Sequence, residues 1–122
     1  MDPHIILALF HIFLVVPFLL YVALNRGNVP YWIYTAMLII GVVVLVYHGY
    51  KSWVRIRVQS PSLWINLVHV FIVAPLLIYV GANEKNTPRP AFELLTMTAF
   101  GALGYHLYNL VISVNSIQDV TK

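Results

Sequence analysis

The sequence has no cysteine and very little charge. Only 9% of its 122 residues are Asp, Glu, Lys or Arg, whereas a soluble domain carries about 25%. The lack of cysteine excludes a disulfide framework and a thiolate metal site. A net charge of +3 would suit nucleic acid in a soluble protein. Here the basic residues flank apolar stretches, where anionic lipid headgroups account for them, so no nucleic-acid partner is predicted.

Long stretches of the chain have no charged side chain at all. There are four, at 3–25, 27–50, 58–83 and 94–118. Each is longer than the roughly 20 residues that a helix needs to cross a hydrocarbon core about 30 Å thick. A backbone in that core must satisfy its own hydrogen bonds, which a helix does. We therefore expect an all-α polytopic membrane protein with four transmembrane helices, at about 3–24, 30–56, 61–82 and 88–115.

The chain also repeats itself at a spacing of 58 residues. Laid without a gap over 61–109, residues 3–51 match at sixteen positions. Matched His, Pro, Asn and Tyr residues are among them, and a shared need for apolar residues cannot produce such matches. We interpret 1–58 and 59–122 as two tandem transmembrane hairpins that run in parallel and form one bundle. A duplicated hairpin implies an ancestor that dimerised, which leaves a homo-oligomer open.

The basic residues indicate the orientation of the hairpins. Lys51, Arg55 and Arg57 cluster in the linker between the two repeats, on the same side as both termini. Cytoplasmic loops carry an excess of Lys and Arg, so this cluster predicts cytoplasmic termini for a multi-pass chain in a lipid bilayer.

Four of the five histidines lie deep inside the predicted spans: His11, His48, His69 and His106. Ionisable side chains there are expensive and are functional candidates by default. A rise of about 1.5 Å per residue puts His11 and His69 roughly 12 Å below their helix starts, and the other two about 7 Å nearer to water. The histidines are therefore predicted to form two layers in one half of the membrane.

The equivalent positions of His11 and His69 suggest a cofactor site. If both face the pseudo-two-fold axis, their imidazoles confront each other as the ligands of a bis-histidine haem do. Our first hypothesis is that these two residues bind haem b or a transition-metal ion, for electron transfer. A metal site with four imidazoles would also use His48 and His106, provided that the helices slide until the two layers meet.

Two other classes of function fit the same residues. The protein could be a proton, ion or small-solute channel or transporter that uses the histidines as relays, or a structural or assembly protein. Pro17 and Pro75 fall in mid-membrane, where each removes a helix hydrogen bond and predicts a kink, either for packing or as a hinge. Phosphate-binding loops, nucleophile elbows and paired carboxylates are missing, so hydrolase and transferase chemistry has no candidate residues.

Overall fold

Residues 2–122, which a computed structural model describes, form four helices. The first and third are interrupted by a π-helical turn and end in a short 3-10 turn. The first comprises Pro3–Phe10, the π turn His11–Val15, Val16–Asn25 and the 3-10 turn Arg26–Asn28. The third comprises Leu63–Val68, the π turn His69–Val73, Ala74–Asn83 and the 3-10 turn Glu84–Asn86. The second is Tyr31–Arg57 and the fourth is Arg89–Thr121.

The helix boundaries follow local capping. The Asp2 carboxylate accepts a hydrogen bond from the His4 N–H at 2.9 Å, and Pro3 takes the first helical position, as predicted. The third helix begins two residues later than expected, because the Ser60 hydroxyl accepts from the Ser62 N–H at 3.3 Å and holds a turn there. The fourth helix continues to Thr121, beyond the predicted end near residue 115.

Three of the helices are long and apolar enough to cross a membrane: Pro3–Asn28, Tyr31–Arg57 and Leu63–Asn86. This supports the assignment to membrane proteins. The fourth helix is long enough to cross, with 33 residues, but among the helices of residues 2–122 it is the one that is not apolar enough. Its middle contains Thr96, Thr98, His106 and Asn109, which lower the mean hydropathy of any window long enough to span the bilayer.

The chain divides into two compact units, each of which combines a helix from 1–58 with a helix from 59–122. The first unit contains the first helix up to Leu24 and the chain from Glu93 to Lys122. The second unit is Asn25–Phe92 and contains the second and third helices. The predicted boundary between the two hairpins, after residue 58, lies within the second unit.

In the second unit, small residues let two antiparallel helices approach closely. A Cβ atom added to Gly81 would lie 2.6 Å from the backbone nitrogen of Leu38, and one added to Gly41 would lie 2.8 Å from a side-chain carbon of Ile78. Small residues at such contacts are typical of membrane helices, whose association depends on close packing. Tyr34 and Met37 are fully buried beside them.

The buried positions of the first unit are mostly apolar. They include Ala8, Val16, Leu19, Val22, Ala23, Leu95 and Ala99. His106 is buried as well, with 6% of its surface exposed. Large apolar side chains on the outside, such as Phe13 at 70% exposed, suit contact with lipid rather than water.

Candidate functional site: two stacked histidine pairs

The first unit holds His11 and His106 face to face. The centroids of their imidazole rings are 4.0 Å apart, and the ring planes differ by 18°. Phe10 contacts His11 by its edge, with ring centroids 5.4 Å apart, and Tyr105 contacts His106 in the same way at 5.1 Å. The two histidines thus join the first and fourth helices inside an aromatic cluster.

The second unit holds a second pair with the same geometry. The rings of His48 and His69 have centroids 4.0 Å apart and planes 14° apart. Tyr47 contacts His48 edge-on at 5.0 Å. His48 and His106 are equivalent in the sequence repeat, as are His69 and His11. Each pair therefore uses one histidine from each repeat.

In each pair, a backbone carbonyl determines which ring nitrogen of one histidine carries the proton. The Nδ1 atom of His11 lies 2.8 Å from the Leu7 carbonyl oxygen, and that of His69 lies 2.7 Å from the Ile65 carbonyl oxygen. A carbonyl oxygen only accepts hydrogen bonds, so Nδ1 carries the proton in both rings. In the neutral state the lone pair of each ring is therefore on Nε2.

The π turns begin at these same two histidines. The N–H of Val16 donates to the carbonyl of His11, and the N–H of Ala74 donates to that of His69, five residues back in each case. Pro17 and Pro75 follow directly, and the proline ring would clash with the carbonyl four residues before it in a regular helix. Widening the preceding turn avoids that clash. The predicted distortions are therefore π turns, a feature that often marks functional sites.

The two pairs differ at one neighbouring position. Asn66 lies beside the second pair, and its Oδ1 atom is 2.9 Å from His48 Nδ1. Its repeat equivalent in the first unit is Ala8. Asn66 is 3% exposed, and its Nδ2 group has no hydrogen-bond partner. A buried donor without a partner costs about 1–3 kcal/mol, which offsets what the hydrogen bond between Oδ1 and His48 contributes to stability.

The prediction that the histidines lie in two separate layers does not hold within either pair. In the second unit, His48 lies nine residues before the helix end at Arg57, and His69 lies six residues after the helix start at Leu63. These counts correspond to similar axial distances, about 13 and 9 Å. His48 and His69 therefore lie at a similar depth, in agreement with their stacked rings.

The predicted cofactor ligands, His11 and His69, have different ring partners, and they lie in different units. A metal ion binds in the plane of an imidazole ring, along the lone pair of the nitrogen. Two planes at 14–18° and 4.0 Å apart meet only on the order of 10 Å away, far beyond a metal–nitrogen bond of about 2 Å. Neither stacked pair can chelate one ion in this arrangement. Residues 2–122 contain no group of three or more His, Cys, Asp or Glu placed to hold a metal.

The sequence singles out the four histidines and the two prolines, and the structure gives His11 and His69 the ring partners His106 and His48. The hypothesis of a site between His11 and His69 stays a prediction, and the sequence assigns no role to Asn66. The mismatch of Ala8 and Asn66 between otherwise matched helices was the available signal. Comparisons with protein-family models, curated proteins and solved structures give no match.

Proposed function

We propose that this protein is a multi-pass membrane protein that conducts protons, with the two stacked histidine pairs as relay groups. The observation that carries the proposal is the face contact of two imidazoles in each unit, at 4.0 Å between centroids. Histidine is the side chain whose ordinary charge change falls between about pH 5 and 8. Four histidines paired within helices of this apolarity are costly unless they have a function.

The hydrogen bonds in each pair favour proton exchange at defined atoms. Because Nδ1 of His11 and His69 already donates to a carbonyl, an incoming proton adds at Nε2. Two unit charges about 4 Å apart repel each other by about 4 kcal/mol at an effective dielectric constant near 20. Each pair therefore holds one extra proton at a time, and it must release that proton before it accepts another.

The stacked geometry favours this function over the haem or metal hypothesis. Parallel rings do not direct their lone pairs to one ion, whereas proton exchange needs only one accessible nitrogen at a time. The haem hypothesis for His11 and His69 predicts a different property, a coloured or metal-loaded protein. Absorption spectra and elemental analysis therefore separate the two functions.

We further propose that the fourth helix also crosses the membrane, so that the chain forms a four-helix bundle of two duplicated hairpins with cytoplasmic termini. The duplication is supported by element boundaries that recur at a spacing of 58 residues. The π turns start at His11 and His69, and the long helices start at Tyr31 and Arg89. Even the unusual positive φ angles recur, 51° at Arg26 and 54° at Glu84.

The test is a proton-flux measurement in liposomes. The purified protein is reconstituted with an entrapped pH dye, and a potassium gradient with valinomycin supplies the driving force. We expect flux in the wild type and none above empty liposomes in the fourfold variant His11→Phe, His48→Phe, His69→Phe, His106→Phe. Phenylalanine keeps an aromatic ring for packing but has no proton acceptor.

The control is His4→Phe, which changes the exposed histidine at the start of the first helix and is expected to leave the flux unchanged. Equal flux in the wild type and the fourfold variant would overturn the proposal. So would stoichiometric haem or metal in the wild type that disappears in the double variant His11→Ala, His69→Ala, because the cofactor hypothesis would then account for the histidines.

A further inference from the structure

The second histidine pair has a polar neighbour that the first pair lacks. Asn66 precedes His69 by three residues on the third helix and contacts His48 on the second helix, with 2.9 Å between Oδ1 and Nδ1. At the equivalent place in the first unit is Ala8, which is also buried, at 1% exposed. The rings stack with similar geometry in both pairs. What Asn66 adds to the second pair is a hydrogen bond to His48.

The orientation of the amide determines which nitrogen of His48 carries a proton. Oδ1 of asparagine only accepts hydrogen bonds, and it is the atom that faces His48 Nδ1. His48 must therefore donate from Nδ1. His69 also donates from Nδ1, to the Ile65 carbonyl. Both rings of the second pair are thereby in the same tautomer, with their lone pairs on Nε2.

The cost of the arrangement argues against a purely structural role. Asn66 is 3% exposed, and its Nδ2 group has no hydrogen-bond partner. Alanine occupies the equivalent buried position in the first unit, so helix packing at this place does not require an amide. The Asn66 amide makes a single hydrogen bond, which its Oδ1 atom accepts from His48, and leaves its Nδ2 group buried without a partner.

We propose that Asn66 is a positioning residue that fixes His48 as the Nδ1–H tautomer, and so makes Nε2 the proton-accepting atom on both rings of the second pair. The effect on proton transfer rests on the proposed function, whereas the effect on the tautomer does not. At the equivalent position the first pair has Ala8, which carries no amide. The two pairs are therefore chemically different despite their equivalent positions in the repeat.

The experiment is nitrogen NMR on protein labelled with ¹⁵N-histidine and reconstituted in lipid nanodiscs, at a pH where the rings are neutral. The chemical shifts of Nδ1 and Nε2 report the tautomer of each ring. In the wild type we expect His48 mainly as Nδ1–H. In Asn66→Leu, which keeps a similar volume without the acceptor, we expect its ratio of Nδ1–H to Nε2–H to fall about fivefold, the factor that corresponds to one net hydrogen bond.

The same spectrum contains its control, because the tautomers of His11 and His69 depend on their own backbone carbonyls and are expected to stay unchanged. If Asn66→Leu fails to fold, Asn66→Ala places the residue of the first unit at this position and serves for the same measurement. A His48 that is mainly Nε2–H in the wild type, or an unchanged ratio in the folded variant, would overturn the proposal.

The liposome assay separates this inference from the proposed function. If the tautomer of His48 shifts in Asn66→Leu but the wild type gives no proton flux, Asn66 positions the ring in a protein that does not conduct protons. If the wild type conducts and the tautomer does not shift, conduction stands and the role of Asn66 is wrong.

Discussion

Single residues set the distance between the second and third helices. The backbone nitrogen of Leu38 leaves no room for a Cβ atom at position 81, and the side chain of Ile78 leaves little at position 41. Glycine at these places allows the close backbone approach that brings His48 and His69 to one level. Packing around the histidine pair therefore depends on atoms that are far from the imidazoles along the helix.

We expect Gly81→Ala to destabilise the protein by about 1–3 kcal/mol, the usual range for overpacking a close contact. The added Cβ would lie 2.6 Å from the nitrogen and 2.8 Å from the Cα of Leu38, and backbone atoms cannot move aside as a flexible side chain can. Unfolding in mixed micelles measures the change. Gly49→Ala is the matched control, since nothing lies within 4 Å of its new Cβ, and equal losses in both variants would contradict the packing argument.

The buried hydroxyl of Tyr34 is a second single group that we expect to stabilise the fold. Tyr34 is 1% exposed, and its hydroxyl donates to the carbonyl of Arg26, a residue with a positive φ of 51°. We expect Tyr34→Phe to lower the free energy of unfolding by about 1–2 kcal/mol, because the hydrogen bond from the buried tyrosine to the Arg26 carbonyl is lost. Tyr47→Phe, at an exposed position, should cost much less in the same unfolding assay. No difference between the two variants would show that the hydrogen bond is not stabilising.

At the scale of the helices, the π turns decide which side chains face a neighbour. A π turn contains one extra residue, and one residue corresponds to a rotation of about 100° around the helix axis. In the first helix, the segment before Val16 is therefore turned relative to the segment after it. The π turn lies between buried Ala8 and buried Leu19, and it sets the angular position of His11.

Replacement of the proline tests this role of the π turn. In Pro17→Ala the new N–H can bond four residues back, so we expect the turn His11–Val15 to become regular α-helix and His11 to lose its stacking on His106. Proton chemical shifts of the two imidazoles report the loss of the ring contact. Pro88→Ala, just before the start of the fourth helix at Arg89, should leave both pairs intact. Retention of the stacked shifts in Pro17→Ala would mean that the π turn does not depend on the proline.

At the scale of the whole molecule, the number of membrane crossings is the first property to measure. The natural chain has no cysteine, so single cysteines can be placed and labelled from one side of the membrane with an impermeant maleimide. If all four helices cross, we expect cysteines at Gln59 and Asp119 to label from one side, and a cysteine at Asn86 from the other. If the fourth helix stays on one side, Asp119 will label together with Asn86. Labelling of intact cells also shows whether Gln59 is cytoplasmic.

Separation of the two repeats tests how each unit is assembled. His11 and His106 lie on opposite sides of residue 58, as do His48 and His69, so the 1–58 half lacks the ring partners of His11 and His48. We expect this half alone to dimerise or aggregate in detergent, and co-expression with 59–122 to restore a one-to-one complex with the imidazole shifts of the intact protein. Size-exclusion chromatography with light scattering measures the assembly. A monomeric, folded 1–58 half would contradict this account.

The sequence by itself indicated a membrane protein and predicted four transmembrane helices, of which three are apolar enough to span. It also gave the positions of the histidines and prolines. These properties depend on local composition and on helical periodicity, and both can be read along the chain. The spacing of 58 residues also indicated which positions are equivalent, because matched His, Pro, Asn and Tyr residues recur at that interval. What the sequence could not supply was the partner of any one histidine.

Only the tertiary structure decided that His11 stacks on His106 and His48 on His69, and that Asn66 contacts one pair alone. These contacts depend on which helices pack together and on how far each turns and slides against its neighbour. Gly41 and Gly81 permit the close approach of the second and third helices, and the π turns at His11 and His69 interrupt the regular helical rotation. Such quantities arise from packing between segments distant in the sequence, so local patterns do not specify them.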